Sequence, residues 1–73
     1  MWETLERYYD ESREYFEDNT PMGDLFTMKY IGMAKAILNN MPFAEKSEKL
    51  TKWLVIRDTL NEMQECVLNR LNR

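Results

Sequence analysis

The stretch LTKWLVIRDTLNEMQECVLNRL, residues 50–71, has an apolar residue at every third or fourth position along its whole length. Residues at this spacing fall on one side of an α-helix, because one turn takes 3.6 residues. No other part of the chain keeps such a stripe for so long. The stretch predicts a long amphipathic helix with a stripe formed by Leu50, Trp53, Ile56, Leu60, Met63, Val67 and Leu71, widened by Leu54 and Leu68.

Two further helices are predicted upstream. Residues 2–17 place aromatic side chains on one side and most charges on the other, and residues 21–39 are apolar on more than one side. Thr20 and Pro21 suit an N-cap and a first helical position, and Asn40 and Pro42 mark the second break. We therefore predict an all-α chain with helices at 2–17, 21–39 and 43–72, arranged as a three-helix bundle or as a helical hairpin plus a long C-terminal helix. A third helix that bends, or restarts with Ser47 as its cap, is the alternative.

A homodimer is predicted from the size of the chain and the length of its last helix. A chain of 73 residues buries a small core, so its stability is marginal. A disulfide within one chain cannot add stability, because Cys66 has no second cysteine to pair with, and a structural zinc is disfavoured because the chain has no histidine. The last helix is longer than the other two, so its final turns need cover from the first helix or from a second copy. The predicted dimer interface consists of Met63, Val67, Leu68 and Leu71.

Charge is distributed unevenly along the chain. Residues 1–24 carry eight acids and two bases, whereas the remainder carries eight bases and five acids. This asymmetry indicates either complementarity within the molecule or a negative surface for a basic partner, such as a protein that normally holds DNA. In the second interpretation the partner-binding residues on the first helix are Glu3, Glu6, Asp10, Glu14 and Glu17.

The segment Asp24, Leu25, Phe26 resembles the end of the short peptide with which bacterial replication proteins dock on the sliding clamp. The resemblance covers three of five positions, since Met22 and Gly23 depart from a pattern that prefers glutamine and leucine. It implies that Leu25 and Phe26 fill an apolar pocket on a partner. Both residues also fit core positions of the second helix, which is the interpretation we favour.

Several functions lack the residues they require. Without histidine, and with Gly23 and Gly32 isolated, the chain has neither the usual general base nor a phosphate-binding loop, so we expect no enzyme, metal or cofactor. The chain has no apolar run long enough for a membrane, no start typical of a signal peptide, and a lone cysteine, which together predict a cytoplasmic protein. DNA binding through Lys46, Lys49 and Lys52 is the alternative function, although a sequence pI of about 4.9 disfavours it.

The sequence thus predicts a small acidic helical module that acts by protein–protein binding. Its small size, its acidity and its lack of cofactor-binding residues are typical of regulators or inhibitors made by phages or mobile elements. DNA mimics and sliding-clamp inhibitors are examples of this class.

Overall fold

Four helices and no strand make up the computed structural model, which describes all residues from 1 to 73. The helices are α1 (Trp2–Asp18), α2 (Pro21–Asn40), α3 (Phe43–Glu48) and α4 (Leu50–Leu71). The all-α class is therefore confirmed. None of the four helices has the combination of length and apolar composition that crossing a bilayer requires.

The turn between α1 and α2 follows from its own residues. Asn19 adopts the left-handed conformation with φ 52° and ψ 41°, and its N–H bonds back to the Phe16 carbonyl oxygen. Thr20 then caps α2, because its Oγ1 accepts a hydrogen bond of 2.9 Å from the Gly23 N–H, and Pro21 occupies the first helical position as predicted. Two residues thus reverse the chain and set α2 antiparallel to α1.

α2 lies between the other two long helices. It contacts α1 more extensively than α4, and contacts at both of its ends show that α4 runs antiparallel to it. Trp53 donates its indole N–H to the Leu38 carbonyl oxygen at 3.3 Å near one end, and Arg70 reaches Asp24 near the other. α1 and α4 contact each other much less than either contacts α2.

The core is built mainly from α2 and α4. Nine buried apolar residues form one cluster. Leu5 comes from α1 and Met41 from the connection after α2, and the others lie on α2 and α4: Ile31, Ala34, Leu38, Trp53, Ile56, Leu60 and Met63. Five positions of the predicted α4 stripe are buried, and we call them the core stripe: Trp53, Ile56, Leu60, Met63 and Val67.

Two of the four residues predicted for the dimer interface are covered within one chain. Met63 is 5% exposed and Val67 is fully buried, so neither can meet a second copy without opening the core. Only Leu68 and Leu71 remain exposed. The expectation is corrected for Met63 and Val67, because packing inside the chain covers the last turns of α4 on that side.

The predicted helix 43–72 is divided at Lys49, whose backbone angles φ −132° and ψ 48° are not helical. The Trp53–Leu38 contact fixes how α4 lies beside α2. If the helix continued straight back from Trp53, Phe43 would lie about 15 Å beyond the Trp53–Leu38 contact along the helix axis and about 9 Å to the side of the α2 axis. The three links from Asn40 to Phe43 span at most about 11 Å, so the connection closes only if the helix bends.

The resulting α3 is a short connecting helix without a buried side chain. Its Phe43 ring is 82% exposed. Ser47 does not cap α4 as the alternative expectation proposed, because its Oγ bonds back to the Ala44 carbonyl oxygen at 3.1 Å. Instead the Lys49 carbonyl oxygen accepts the Trp53 N–H at 2.9 Å and begins the first turn of α4.

Candidate partner-binding surface

Five carboxylates form a continuous line along α1, which we call the acidic stripe: Glu3, Glu6, Asp10, Glu14 and Glu17. At 100° per residue they fall within an arc of about 80° and extend over about 21 Å of helix. All except Glu6 are exposed. The fold keeps them together because Leu5 and Ser12, which are fully buried, anchor the opposite side of the same helix.

One member of the acidic stripe has an ionic partner. Glu6 pairs with Lys52 of α4. The chain forms two other ion pairs, between Asp24 and Arg70 and between Arg57 and Asp58, and neither involves the stripe. Glu3, Asp10, Glu14 and Glu17 therefore present their charge to solvent without a counter-charge within 4 Å.

The acidic stripe borders an open groove between α1 and α4. We call the concave surface between these two helices the α1–α4 groove. Its larger cavity measures about 440 Å³, and the smaller, about 310 Å³, lies nearer to the start of the helices. The larger is lined by Arg13, Phe16, Glu17, Thr59, Glu62, Met63 and Cys66. The smaller is lined by Glu6, Tyr9, Asp10, Lys52, Val55 and Ile56.

Sequence reasoning did not identify the α4 wall of this groove. Lys52, Val55, Thr59, Glu62 and Cys66 follow one another at helical spacing, so the signal was present in the sequence. The core stripe runs beside this pattern and is the stronger apolar signal on the same helix. Glu62 adds a carboxylate opposite Glu17, while Phe16 and Met63 supply apolar surface, so the groove has a charged rim and a partly apolar floor.

The three lysines of the alternative DNA-binding cluster are engaged within the chain. The Lys46 ammonium lies 4.0 Å from the centre of the Trp53 ring, and the Lys49 ammonium lies 5.5 Å from the centre of the Trp2 ring. Both are distances at which a cation is attracted to an aromatic face. Lys52 pairs with Glu6. The structure thus places each lysine beside its own partner.

Asp24, Leu25 and Phe26 are presented differently from a docking peptide. Asp24 is buried beside Arg70, whereas Leu25 and Phe26 are exposed on α2. The favoured expectation that Leu25 and Phe26 belong to the core is therefore corrected. Their positions differ by 100° around the helix, so Phe26 faces α1, where its ring stacks on Tyr15, and Leu25 faces away.

The aromatic residues of α1 divide between two environments. Trp2, Tyr9 and Phe16 are partly buried against the core, and Tyr8 borders both environments. On the other side of the helix pair, Tyr15 stacks on Tyr30 with ring centres 5.7 Å apart. This row, which continues to Phe26 and Tyr8, lies between α1 and α2 and thus apart from the α1–α4 groove.

The candidate surface is defined by charge and shape. No three carboxylate or thiol groups converge closely enough to hold a metal ion. The thiol of Cys66, the one cysteine in the chain, is unpaired and exposed beside the groove.

No protein-family model, no curated protein and no solved structure matches this chain.

Proposed function

We propose that this protein acts by binding another protein, and that the acidic stripe with the α1–α4 groove takes up a basic segment of that partner. The observation that carries the proposal is a line of four exposed carboxylates that form no ion pair within 4 Å: Glu3, Asp10, Glu14 and Glu17. Arg13 borders the last three of them. In this proposal α1, α2 and α4 serve as a three-helix bundle that holds the line rigid.

The groove gives the proposed contact both charge and shape. Like charges held along one helix repel one another and attract cations over roughly the Debye length of about 10 Å at 0.1 M salt. A basic amphipathic helix can place lysines or arginines against Glu17 and Glu62 while its apolar side covers Phe16 and Met63. Charge then accelerates association, and the apolar floor adds affinity.

The proposed role is that of a small regulator or inhibitor of the type made by phages or mobile elements. The acidic stripe has about one charge per 5 Å, against one per 3.4 Å along a single strand of DNA. This similarity supports a DNA mimic that occupies the basic surface of a nucleic-acid-binding protein. A clamp-binding inhibitor remains the second form of the proposal, supported by the exposure of Leu25 and Phe26.

We also place this activity in the cytoplasm and propose that the chain forms a homodimer through α4. The unpaired and exposed thiol of Cys66 suits a reducing compartment. Leu68 and Leu71, the two exposed members of the predicted interface, support self-association on the outer side of α4.

The test is quantitative affinity capture from cells of the native host with three versions of the protein. Asp10→Lys with Glu14→Lys reverses the centre of the acidic stripe, and we expect it to lose captured basic proteins by about tenfold or more. Glu45→Lys with Glu48→Lys on α3 makes the same change in net charge away from the stripe, so it should retain them. If both double variants retain the same partners as the wild type, the acidic stripe is not the binding surface.

DNA binding is tested separately by fluorescence anisotropy with a labelled duplex at 50 mM and 200 mM salt. We expect no binding in the micromolar range, because Lys46, Lys49 and Lys52 are engaged within the chain. Micromolar binding that weakens steeply with salt, and that disappears when the three lysines are changed to alanine, would establish the alternative function instead.

A further inference from the structure

α4 carries a second stripe that has exposed leucines at both ends and polar residues in the middle, one of which, Gln64, is partly buried and accepts a hydrogen bond from Lys35 of α2. Its leucines at positions 50, 54, 68 and 71 are 45%, 36%, 42% and 46% exposed. Together with three polar residues they follow one another in alternating steps of four and three. We call this set the outer stripe: Leu50, Leu54, Arg57, Asn61, Gln64, Leu68 and Leu71.

Alternating steps of four and three are the spacing with which one helix pairs with another in a coiled coil. The outer stripe keeps this spacing over 22 residues, which amounts to about three heptads and about 33 Å of helix. The core stripe uses other positions of α4, so the outer stripe is not a by-product of packing within the chain. Its spacing indicates a helical occupant.

The order of residues in the outer stripe points to a second copy of this chain. Two leucines lie at each end and three polar residues lie between them, so the stripe is similar in both directions around Asn61. In an antiparallel pair, Leu50 and Leu54 of one copy cover the end that carries Leu68 and Leu71 in the other. The same contact is made twice, as a two-fold symmetric interface requires.

Charge favours the antiparallel orientation over the parallel one. Side by side in parallel, Arg57 would face Arg57 of the second copy. In the antiparallel arrangement it faces the segment 61–68, in which Glu65 lies on the flank of the outer stripe and no base is present. The Arg57 side chain is 44% exposed, with its guanidinium carbon 5.6 Å from the centre of the Trp53 ring and its Nη2 2.9 Å from Asp58. Antiparallel helix dipoles also attract.

The size of the molecule is sufficient for such a contact. Its long side measures 41 by 18 Å, which is of the order of the roughly 800 Å² per partner of a standard stable interface, and the outer stripe extends along about 33 Å of that side. We infer that two copies pair antiparallel through the outer stripe, with the two-fold axis close to Asn61. The inference rests on the proposed self-association and replaces Met63 and Val67 by Leu50 and Leu54 in its interface.

The first test is sedimentation velocity between 5 and 200 µM, with circular dichroism to verify that each variant is folded. The wild type should be a dimer, and Leu68→Glu should raise its dissociation constant by about a hundredfold or more, since the change acts twice in a symmetric interface. Val55→Glu is the matched control, because Val55 is 55% exposed on the side of α4 that faces the α1–α4 groove. It should leave the dimer intact.

The second test measures orientation with spin labels in a Cys66→Ser background. With labels at Thr51 in both copies, the antiparallel pair predicts a separation of about 25–30 Å, and a parallel pair about 10 Å. When copies labelled at Thr51 are mixed with copies labelled at Asn69, the antiparallel pair predicts the short separation and the parallel pair the long one, because Thr51 and Asn69 lie opposite each other in the antiparallel pair. A short distance between two Thr51 labels would overturn the orientation.

The possible failures are distinct. A monomeric wild type over the whole concentration range refutes self-association and this inference with it, while binding through the acidic stripe is unaffected. A dimer that Leu68→Glu does not weaken shows that two copies meet on another surface.

Discussion

Arg70 is the residue that holds the end of α4 to the turn between α1 and α2. Its guanidinium carbon lies 4.7 Å from the centre of the Phe16 ring, and it donates a hydrogen bond to the Asn19 side chain. Its Nη2 lies 2.9 Å from Asp24 Oδ1, although the alignment is too oblique for a hydrogen bond between these atoms. Because Asp24 is buried, this one cation neutralises a carboxylate that water reaches poorly.

We predict that Arg70→Met lowers the free energy of unfolding by about 2–3 kcal/mol, since it leaves the Asp24 carboxylate buried without a counter-charge. For a domain of this size, that is a fall of about 10–20 °C in the melting temperature. Urea unfolding followed by circular dichroism measures the effect. Adding Asp24→Asn to Arg70→Met should recover part of the loss, because it removes the unpaired charge.

The matched control is Arg57→Met at low micromolar concentration. Arg57 and Asp58 are also 2.9 Å apart, but their side chains are 44% and 62% exposed, against 22% and 7% for Arg70 and Asp24. Exposed ion pairs contribute little, so the cost should stay below about 1 kcal/mol. Equal costs at the two sites would show that burial does not decide the strength of these pairs.

At the scale of the element, α2 contains both glycines of the chain, and their surroundings differ. A Cβ on Gly23 would lie 2.9 Å from Thr20 Oγ1 and 2.9 Å from the Tyr15 carbonyl oxygen. The backbone of Gly23 therefore passes close to α1, and its N–H makes the capping bond of the helix. A Cβ on Gly32 would meet nothing within 4 Å.

We predict opposite effects of alanine at these two positions. Gly23→Ala should cost about 1–2 kcal/mol, because the new methyl group displaces the Thr20 cap or separates α1 from α2. Gly32→Ala should gain about 0.5–1 kcal/mol, because alanine loses less backbone entropy in an exposed helix interior. Thermal unfolding of the two variants provides the comparison, and a Gly23→Ala protein as stable as the wild type would contradict the close approach.

The elements of this fold differ in how far the sequence predicts them. The boundaries of α1 and α2 were predicted to within one residue, because the capping by Thr20 and the position of Pro21 are local chemistry. For the last helix the sequence is compatible with either a continuous or a bent helix, because the break at Lys49 depends on how far the chain can reach between α2 and α4. Such a distance exists only after the two helices have packed.

The candidate surface shows the same division between local and non-local information. The acidic stripe is readable from the spacing of carboxylates on one helix, whereas the groove requires knowing which side of α4 faces α1. The exposure of Leu25 and Phe26 also depends on packing, since the apolar residues of α2 exceed what its neighbours cover. Periodicity identifies an apolar face without telling whether the same chain covers it.

On the scale of the whole molecule, negative charge is concentrated on α1 without being neutralised there. Of the acids on that helix only Glu6 forms an ion pair, although the rest of the chain has a net positive charge. Acids three or four residues apart on a helix repel each other by about 0.2–0.5 kcal/mol per pair. The distribution therefore weakens the fold slightly while it strengthens the field outside the molecule.

Glu14 allows this trade-off to be measured at a single position. Its neighbours three and four residues away are all acidic, namely Asp10, Glu11, Glu17 and Asp18. We predict that Glu14→Gln, which keeps the shape of the side chain, raises the free energy of unfolding by about 0.5–1 kcal/mol in dilute buffer. The gain should shrink in 0.5 M salt, where the repulsion is already screened.

The same substitution should weaken capture of a basic partner, so that stability and binding change in opposite directions. Glu48→Gln is the control, because Glu48 is exposed on α3 away from the acidic stripe, forms no ion pair, and has one acidic neighbour, Glu45, and one basic neighbour, Lys49, whose effects offset each other. It should therefore stabilise nothing and leave partner capture unchanged. If Glu14→Gln destabilises the protein, the acids of α1 support the fold, and their concentration on one helix is no argument for a binding surface. If it stabilises the protein and reduces capture, the negative charge of the acidic stripe serves binding and lowers the stability of the fold.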